Sequence, residues 1–358
     1  MKAIRRQGIL YSLLLLGLMS SCSSNDAEYT PIPQSAVQCD LTQVPYAKLS
    51  DYRFFDGELK NLTPAIGVLP YQPSSELFTD YALKKRFVWM PNNTKATYVS
   101  DREVLDLPVG AALIKVFYYN TVMPGLTTKI IETRVMIRKS SGWIFAEYIW
   151  NPEQTEAFLE TASTSRTLTI QQGSETLTFN YRTPNTTVEC NRCHGDLVTQ
   201  QKTPIGIKPQ NLNWNYSGTQ NQLTQWINAG YLEANLPSSI TTVPNYNNTA
   251  LPVTERVRAY FDANCAHCHR TGGEAQVHPL HMEYTDTSDP ENMGVGVGAL
   301  HTLPGYNGRI VQPNNVGQSI LHYRMQTTTD LFYIMPAIGR SVQHREGIQL
   351  VEQWINSF

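Results

Sequence analysis

The sequence predicts an α+β chain, with an antiparallel β region first and an all-α region last. Three observations carry this. From about residue 40 to 183, short runs rich in β-branched and aromatic residues recur, each bounded by Pro, Gly, Asn or Ser. From 251 to 358, apolar residues fall at helical spacing in the first and last stretches. Residues 184–250 form a separate segment, a loop with Pro204, Gly206 and Pro209 followed by one short helical stretch. A chain of 358 residues has room for about two domains.

Taken in order, the chain opens with Lys2, Arg5 and Arg6, followed by an apolar run from Ile9 to Met19. The run is short of the ~20 residues that span a bilayer and fits a secretory signal over residues 1–21. Residues 22–39 read as a polar tether. The strand runs are Phe87–Met90, Ala112–Tyr119, Ile130–Ile137 and Trp143–Trp150, with a hairpin expected across Gly173-Ser174 between Leu168–Ile170 and Thr176–Phe179. Pro152–Leu159 reads as a helical turn or short helix. Thr219-Gln-Asn-Gln222 offers a capping box for a helix with Leu223, Trp226 and Ile227 on one face, stopping at Gly230. Thr254 can cap a helix carrying Val257, Tyr260 and Phe261. A last helix over about Gln343–Asn356 carries Ile348, Val351, Trp354 and Ile355.

Chemistry enters at Cys190-Asn-Arg-Cys193-His194 and again at Cys265-Ala-His-Cys268-His269. C-x-x-C-H is the attachment pattern for c-type haem. Two thiols add across the two vinyl groups of one porphyrin edge, and the histidine after the second cysteine becomes the proximal iron ligand. A redox disulfide would leave that histidine unexplained in both copies. A shared zinc site usually separates its cysteine pairs by ~15–20 residues, whereas Cys193 and Cys265 are much further apart. The expectation is two covalent haems, on Cys190 and Cys193 with His194, and on Cys265 and Cys268 with His269. For the second haem, Met335 in the apolar loop Leu331-Phe-Tyr-Ile-Met-Pro336 is the expected distal ligand, with Met325 and His322 as rivals. Between Gly195 and Asn264 there is neither histidine nor methionine. Candidates for the first haem are therefore Met90, Met123, Met136, Lys202, Lys208, Tyr216, Tyr231, His278, His281 and His301, or the iron stays open on that side. Cys39 is left over.

Several stretches resemble known groups. Leu18-Met-Ser-Ser-Cys22 resembles a bacterial lipoprotein signal, with Met19 where leucine is usual, which implies lipid on Cys22. Residues 251–358, with one helix running into C-x-x-C-H and a final aromatic-bearing helix, resemble the frame of a class I cytochrome c domain. Ser75–Tyr81, Leu107–Gly110, Ile131–Arg134, Trp150–Glu156, Pro204–Pro209, Asn221–Leu223 and both Cys/His motifs together resemble a family of exported two-haem c-type cytochromes. That resemblance implies an N-terminal β domain (40–183), a first haem segment (184–250), a second haem domain (251–358), and electron transfer. A second resemblance, through Pro108-Val-Gly110 and Gly142-Trp143, is to small cytochromes that oxidise hydroxylamine at an open haem; it implies an enzyme, with the second haem as relay.

The formal charge of −2 becomes −5 once the three cations of the signal are removed. No basic stripe marks a nucleic-acid surface. The expected partners are redox proteins, with the membrane engaged through the N-terminal lipid, on the periplasmic face or as an outer-membrane lipoprotein of a bacterium.

Overall fold

The computed structural model describes residues 35–216 and 218–358. Cys22, the signal and most of the tether lie outside the described residues. The strands are β1 (Phe55–Asp56), β2 (Thr63–Pro64), β3 (Leu69–Pro70), β4 (Leu83–Trp89), β5 (Ala112–Val122), β6 (Thr127–Lys139), β7 (Gly142–Trp150), β8 (Ala157–Glu160), β9 (Ser165–Gln172) and β10 (Glu175–Arg182). The α-helices are α1 (Cys190–His194), α2 (Pro209–Leu212), α3 (Gln222–Asn228), α4 (Val253–Asn264), α5 (Ile320–Gln326) and α6 (Arg345–Ile355). β1 and β2 pair with each other; the rest build one eight-stranded antiparallel sheet. β3 to β8 lie side by side in chain order, and the β9–β10 hairpin joins the far end of β5 through Val122 opposite Ile170.

Alternation along the strands sends successive side chains to opposite faces. Phe87, Ile114, Val135 and Ala146 point to one face, where residues from the chain before β3 (Leu49, Tyr52, Phe54 and Leu62) cover them. Val88, Leu113 and Trp143 point to the other, beneath Ile207, Leu212 and Trp226. Further along that second face, Phe117 and Tyr119 pack on Ile170, Phe179 and Tyr181. The second face also carries a row of charges in direct register: Arg86 opposite Lys115, Lys115 opposite Arg134, Arg134 opposite Glu147.

The expected all-α region of cytochrome c type is not found. Among the described residues the eight-stranded antiparallel sheet dominates, and the six α-helices are short. Within 251–358, α4, α5 and α6 have 12, 7 and 11 residues, and the rest is turns, loops and short 3-10 segments. The physical reason lies between α4 and α5. Gly272, Gly294, Gly296, Gly305 and Gly308 all take positive φ there, a conformation that ends helices and suits glycine. The apolar stripes at the two ends were real, but they described two helices packed on one another and not the intervening chain.

This region is also tied to the sheet. The Asp80 carboxylate accepts from the amides of Ser341 (2.6 Å) and Val342 (2.9 Å). Phe78 stacks on His344 at 4.1 Å, and the Phe78 amide donates to Asn264 Oδ1 at 2.7 Å.

Smaller differences have local causes. Pro152–Leu159 is a turn running into β8, because the Asn151 side chain accepts from the amides of Thr155 and Glu156. α3 is capped by Asn221, whose side chain accepts from the Leu223 amide, and not by Thr219. Pro252, not Thr254, precedes α4.

Candidate functional site

Both Cys/His motifs sit on single helical turns. In α1, Cys190, Cys193 and His194 stand at i, i+3 and i+4, the spacing that puts three side chains on one helix face. The second motif continues α4 by one turn, closed by His269 N donating to Cys265 O at 3.0 Å. The same face therefore collects Cys265, Cys268 and His269.

His194 is positioned on both sides. Its Nδ1 lies 2.8 Å from the Thr203 carbonyl, which can only accept, so Nδ1 carries the proton and Nε2 keeps its lone pair. The ring packs on Phe145 at 4.7 Å. Burial lowers its pKa to about 4. His269 is likewise lowered to about 4, first by burial and then by His278; its Nδ1 is buried without a hydrogen-bond partner. Both imidazoles are thus held neutral, the form that binds metal. Burial raises the Cys190 thiol to about 11 and the Cys265 thiol to about 12.

The two motifs converge. The sulfurs of Cys193 and Cys268 and one ring nitrogen of His267 lie within 4.8 Å of one another. The hydrogen bond between the thiols lowers Cys193, with His267 adding to it, and raises Cys268. Two ion pairs clasp the loops: Arg192 Nε to Glu274 at 2.6 Å, and Arg270 to Asp196 at 3.0 Å. Gly272 makes the close approach possible. It has φ +77, and a Cβ there would meet Asp196 Oδ2 at 2.4 Å.

No family model, curated protein or solved structure matches this chain. The functional reading therefore stands on the site alone.

Two cavities flank the convergence. The first, about 280 Å³ and mostly apolar, is lined by Cys265, Cys268, His269 and Met335 together. Met335 is fixed there by its amide, which donates to the Arg324 carbonyl at 2.9 Å. Of the rivals, Met325 lines the same cavity, whereas His322 is turned away, its Nε2 2.7 Å from Glu352. His278 and His301 also line this cavity, on the second motif's side.

The second cavity, about 480 Å³, is lined by Cys193, His267 and Thr203 and by the sheet residues Arg86 and Lys115. Among the residues lining it there is no methionine. Met90 is buried against the α3 side of the sheet. Met123 is exposed. Lys208 is held by Glu283 at 2.6 Å, and the Tyr231 hydroxyl donates to the Gly67 carbonyl. Lys202 reaches the face of Phe145, the ring that also packs on His194. Lys115 was not among the candidates, yet it lines this cavity and acts electrostatically on His194. A signal was present in the sequence: charged residues stand inside strands, at positions that alternate with the covered core.

Beside these cations, Arg134 is neutralised. It pairs with Glu132 at 2.6 Å and lies 3.5 Å from Glu147. Burial raises the Glu132 carboxyl, but Arg134 and Tyr181 outweigh it and the net shift is downward; Glu147, buried next to Glu132, is raised. Cys39 donates to the Gly110 carbonyl, and burial pushes its thiol up to about 11, away from reactivity.

The donor sets bear on what the site can hold. Cys193, His267 and Cys268 could together hold a soft metal ion. That grouping leaves out Cys190, Cys265, His194 and His269, so it does not account for the repeated spacing. Covalent haem would use all of these except His267, and the mostly apolar cavity that His269 and Met335 line together would suit an iron-porphyrin.

Proposed function

We propose that this chain is an exported two-haem c-type cytochrome, anchored by lipid on Cys22, that carries electrons between redox partner proteins at a bacterial cell envelope. The observation that carries the reading is the convergence of two C-x-x-C-H turns, each with a buried neutral histidine. Haem, when bound, supplies a one-electron iron couple whose potential a thioether ligand raises. The chain supplies the rest. Cys190 and Cys193 hold one group and Cys265 and Cys268 the other. Thr203 aims His194. Burial keeps His194 and His269 unprotonated, and Met335 offers sulfur into the His269 cavity. The adjacency of Cys193 and Cys268 brings the two attachment points together, as relay through one molecule requires.

The test is the intact mass of the exported protein. Two haem additions are expected, one lost in Cys190→Ala/Cys193→Ala and the other in Cys265→Ala/Cys268→Ala. A mature protein without haem additions overturns the proposal.

One observation favours a second reading, an enzyme with the first haem as reaction centre. The cavity beside Cys193 is lined by charged side chains, among them Arg86 and Lys115, and offers no thioether. On this reading, turnover of peroxide or hydroxylamine is lost in His194→Gly. Spectra of both reduced haems left unchanged by carbon monoxide would count against it.

A further inference from the structure

The cavity beside Cys193 is lined by two basic side chains, Arg86 and Lys115, that no acid of the protein pairs with among the described residues. Its acids are already engaged. Asp196 is paired with Arg270 at 3.0 Å, and Glu283 holds both Lys208 and Arg102. Asp262 accepts from Asn211 Nδ2 and from the Tyr284 amide, each at 3.0 Å. Glu103 is exposed at the rim.

Arg86 and Lys115 are different. They face each other directly across β4 and β5. Arg86 is only 6% exposed, and its guanidinium donates to Gln72 Oε1 at 2.7 Å, a neutral acceptor. Lys115 rests its ammonium on the Phe117 ring at 4.8 Å. Among the described residues neither forms an ion pair with an acid within 4.0 Å; Glu76 acts on Arg86 only at longer range. Keeping two like charges side by side is costly: burial, and then Arg86, Arg134 and Lys84, push the Lys115 pKa well below the usual lysine range, and an anion joining the two side chains would hold the ammonium charged.

We propose that Arg86 and Lys115 form an oxyanion site in this cavity. Arginine presents a planar fork of donors that matches a carboxylate or an inorganic oxyanion, and lysine adds a point charge beside it. Two sources share this chemistry. One is a carboxylate of the group attached at Cys190 and Cys193, which rests on the function proposed above. The other is a free inorganic oxyanion entering from solvent, which does not.

The experiment uses the purified exported protein, Lys115→Met and Arg86→Gln, with haem content set by intact mass and folding by near-ultraviolet circular dichroism. Lys115→Gln is the second variant should Lys115→Met not fold. Nitrite and inorganic phosphate are titrated by calorimetry, and the reduction potentials of the haems are measured. Uptake of either anion, weakened about tenfold or more in each variant, assigns the site to a free oxyanion. No uptake, with both variants lowering the potential of one haem while two haems are retained, assigns it to the attached group. Removing a nearby positive charge disfavours the added electron, so the sign is downward. Neither uptake nor a potential shift overturns the proposal. If the protein carries no haem, the functional reading fails separately and calorimetry alone decides the site: uptake supports it, and absence of uptake overturns it.

Discussion

His344 shows how packing sets the charge of a single side chain. It stacks on Phe78 at 4.1 Å, and its Nδ1 lies 3.1 Å from the Tyr260 hydroxyl. Burial lowers its pKa from 6.5 to about 4, against a smaller opposing effect of Glu346. The unfolded chain therefore takes up this proton first as the pH falls. Stability from this residue is complete above about pH 6.5 and declines toward pH 4, by at most roughly 3 kcal/mol. Urea unfolding at about pH 7.5 and about pH 4.5 is expected to show the loss, and His344→Phe to make it smaller. An equal loss in the variant would remove His344 as its source. Helical periodicity marked the neighbouring helix, but His344 carried no legible signal, because its surroundings come from residues distant in sequence. Lys115 was half-legible, as a charge inside the expected run Ala112–Tyr119, whereas Arg86 lay just outside the run Phe87–Met90, and which charges stay unpaired depends on the strand register.

Among the elements, α3 is the one whose packing the sequence described most directly. Leu223 and Trp226 are buried, as their spacing required, and Trp226 meets Tyr71 edge to face at 5.8 Å. Trp226→Ala is expected to cost about 3–5 kcal/mol by leaving a cavity under the sheet. Trp226→Phe should cost much less, because the indole N–H is buried without a partner and its loss forfeits no hydrogen bond. Chemical-denaturation midpoints compare the two, and equal costs would contradict this account. The four strand runs became β4 to β7, since alternation and β-branched content report directly on a pleated, half-covered surface. Pro152–Leu159 went otherwise: the turn that governs it is built by the Asn151 side chain, which no periodicity records.

Across the whole molecule, the described chain from Ser35 to Phe358 forms one compact unit. The C-terminal region is held to the segment just before β4 through Asp80, Phe78 and Tyr81, whose hydroxyl donates to Glu346 at 2.9 Å. Unfolding is expected to be one cooperative transition, with far- and near-ultraviolet circular dichroism coinciding. Asp80→Ala removes an acceptor shared by two backbone amides and should lower the midpoint by the equivalent of about 1.5–3 kcal/mol. Two resolved transitions would show instead that the C-terminal region is stable by itself.

The sequence by itself determined the local facts: the strand runs, the helix faces and the two Cys/His turns with their spacing. These depend on periods of two and of three to four residues, which are written along the chain. Only the tertiary structure decided that the C-terminal region is no all-α domain, that Cys193 meets Cys268, that Met335 shares a cavity with His269, and that Arg86 and Lys115 stand together without an acid. Each of these is a contact between residues far apart in sequence. Such contacts follow from sheet order, register and the closure of glycine-rich loops, which local patterns do not encode.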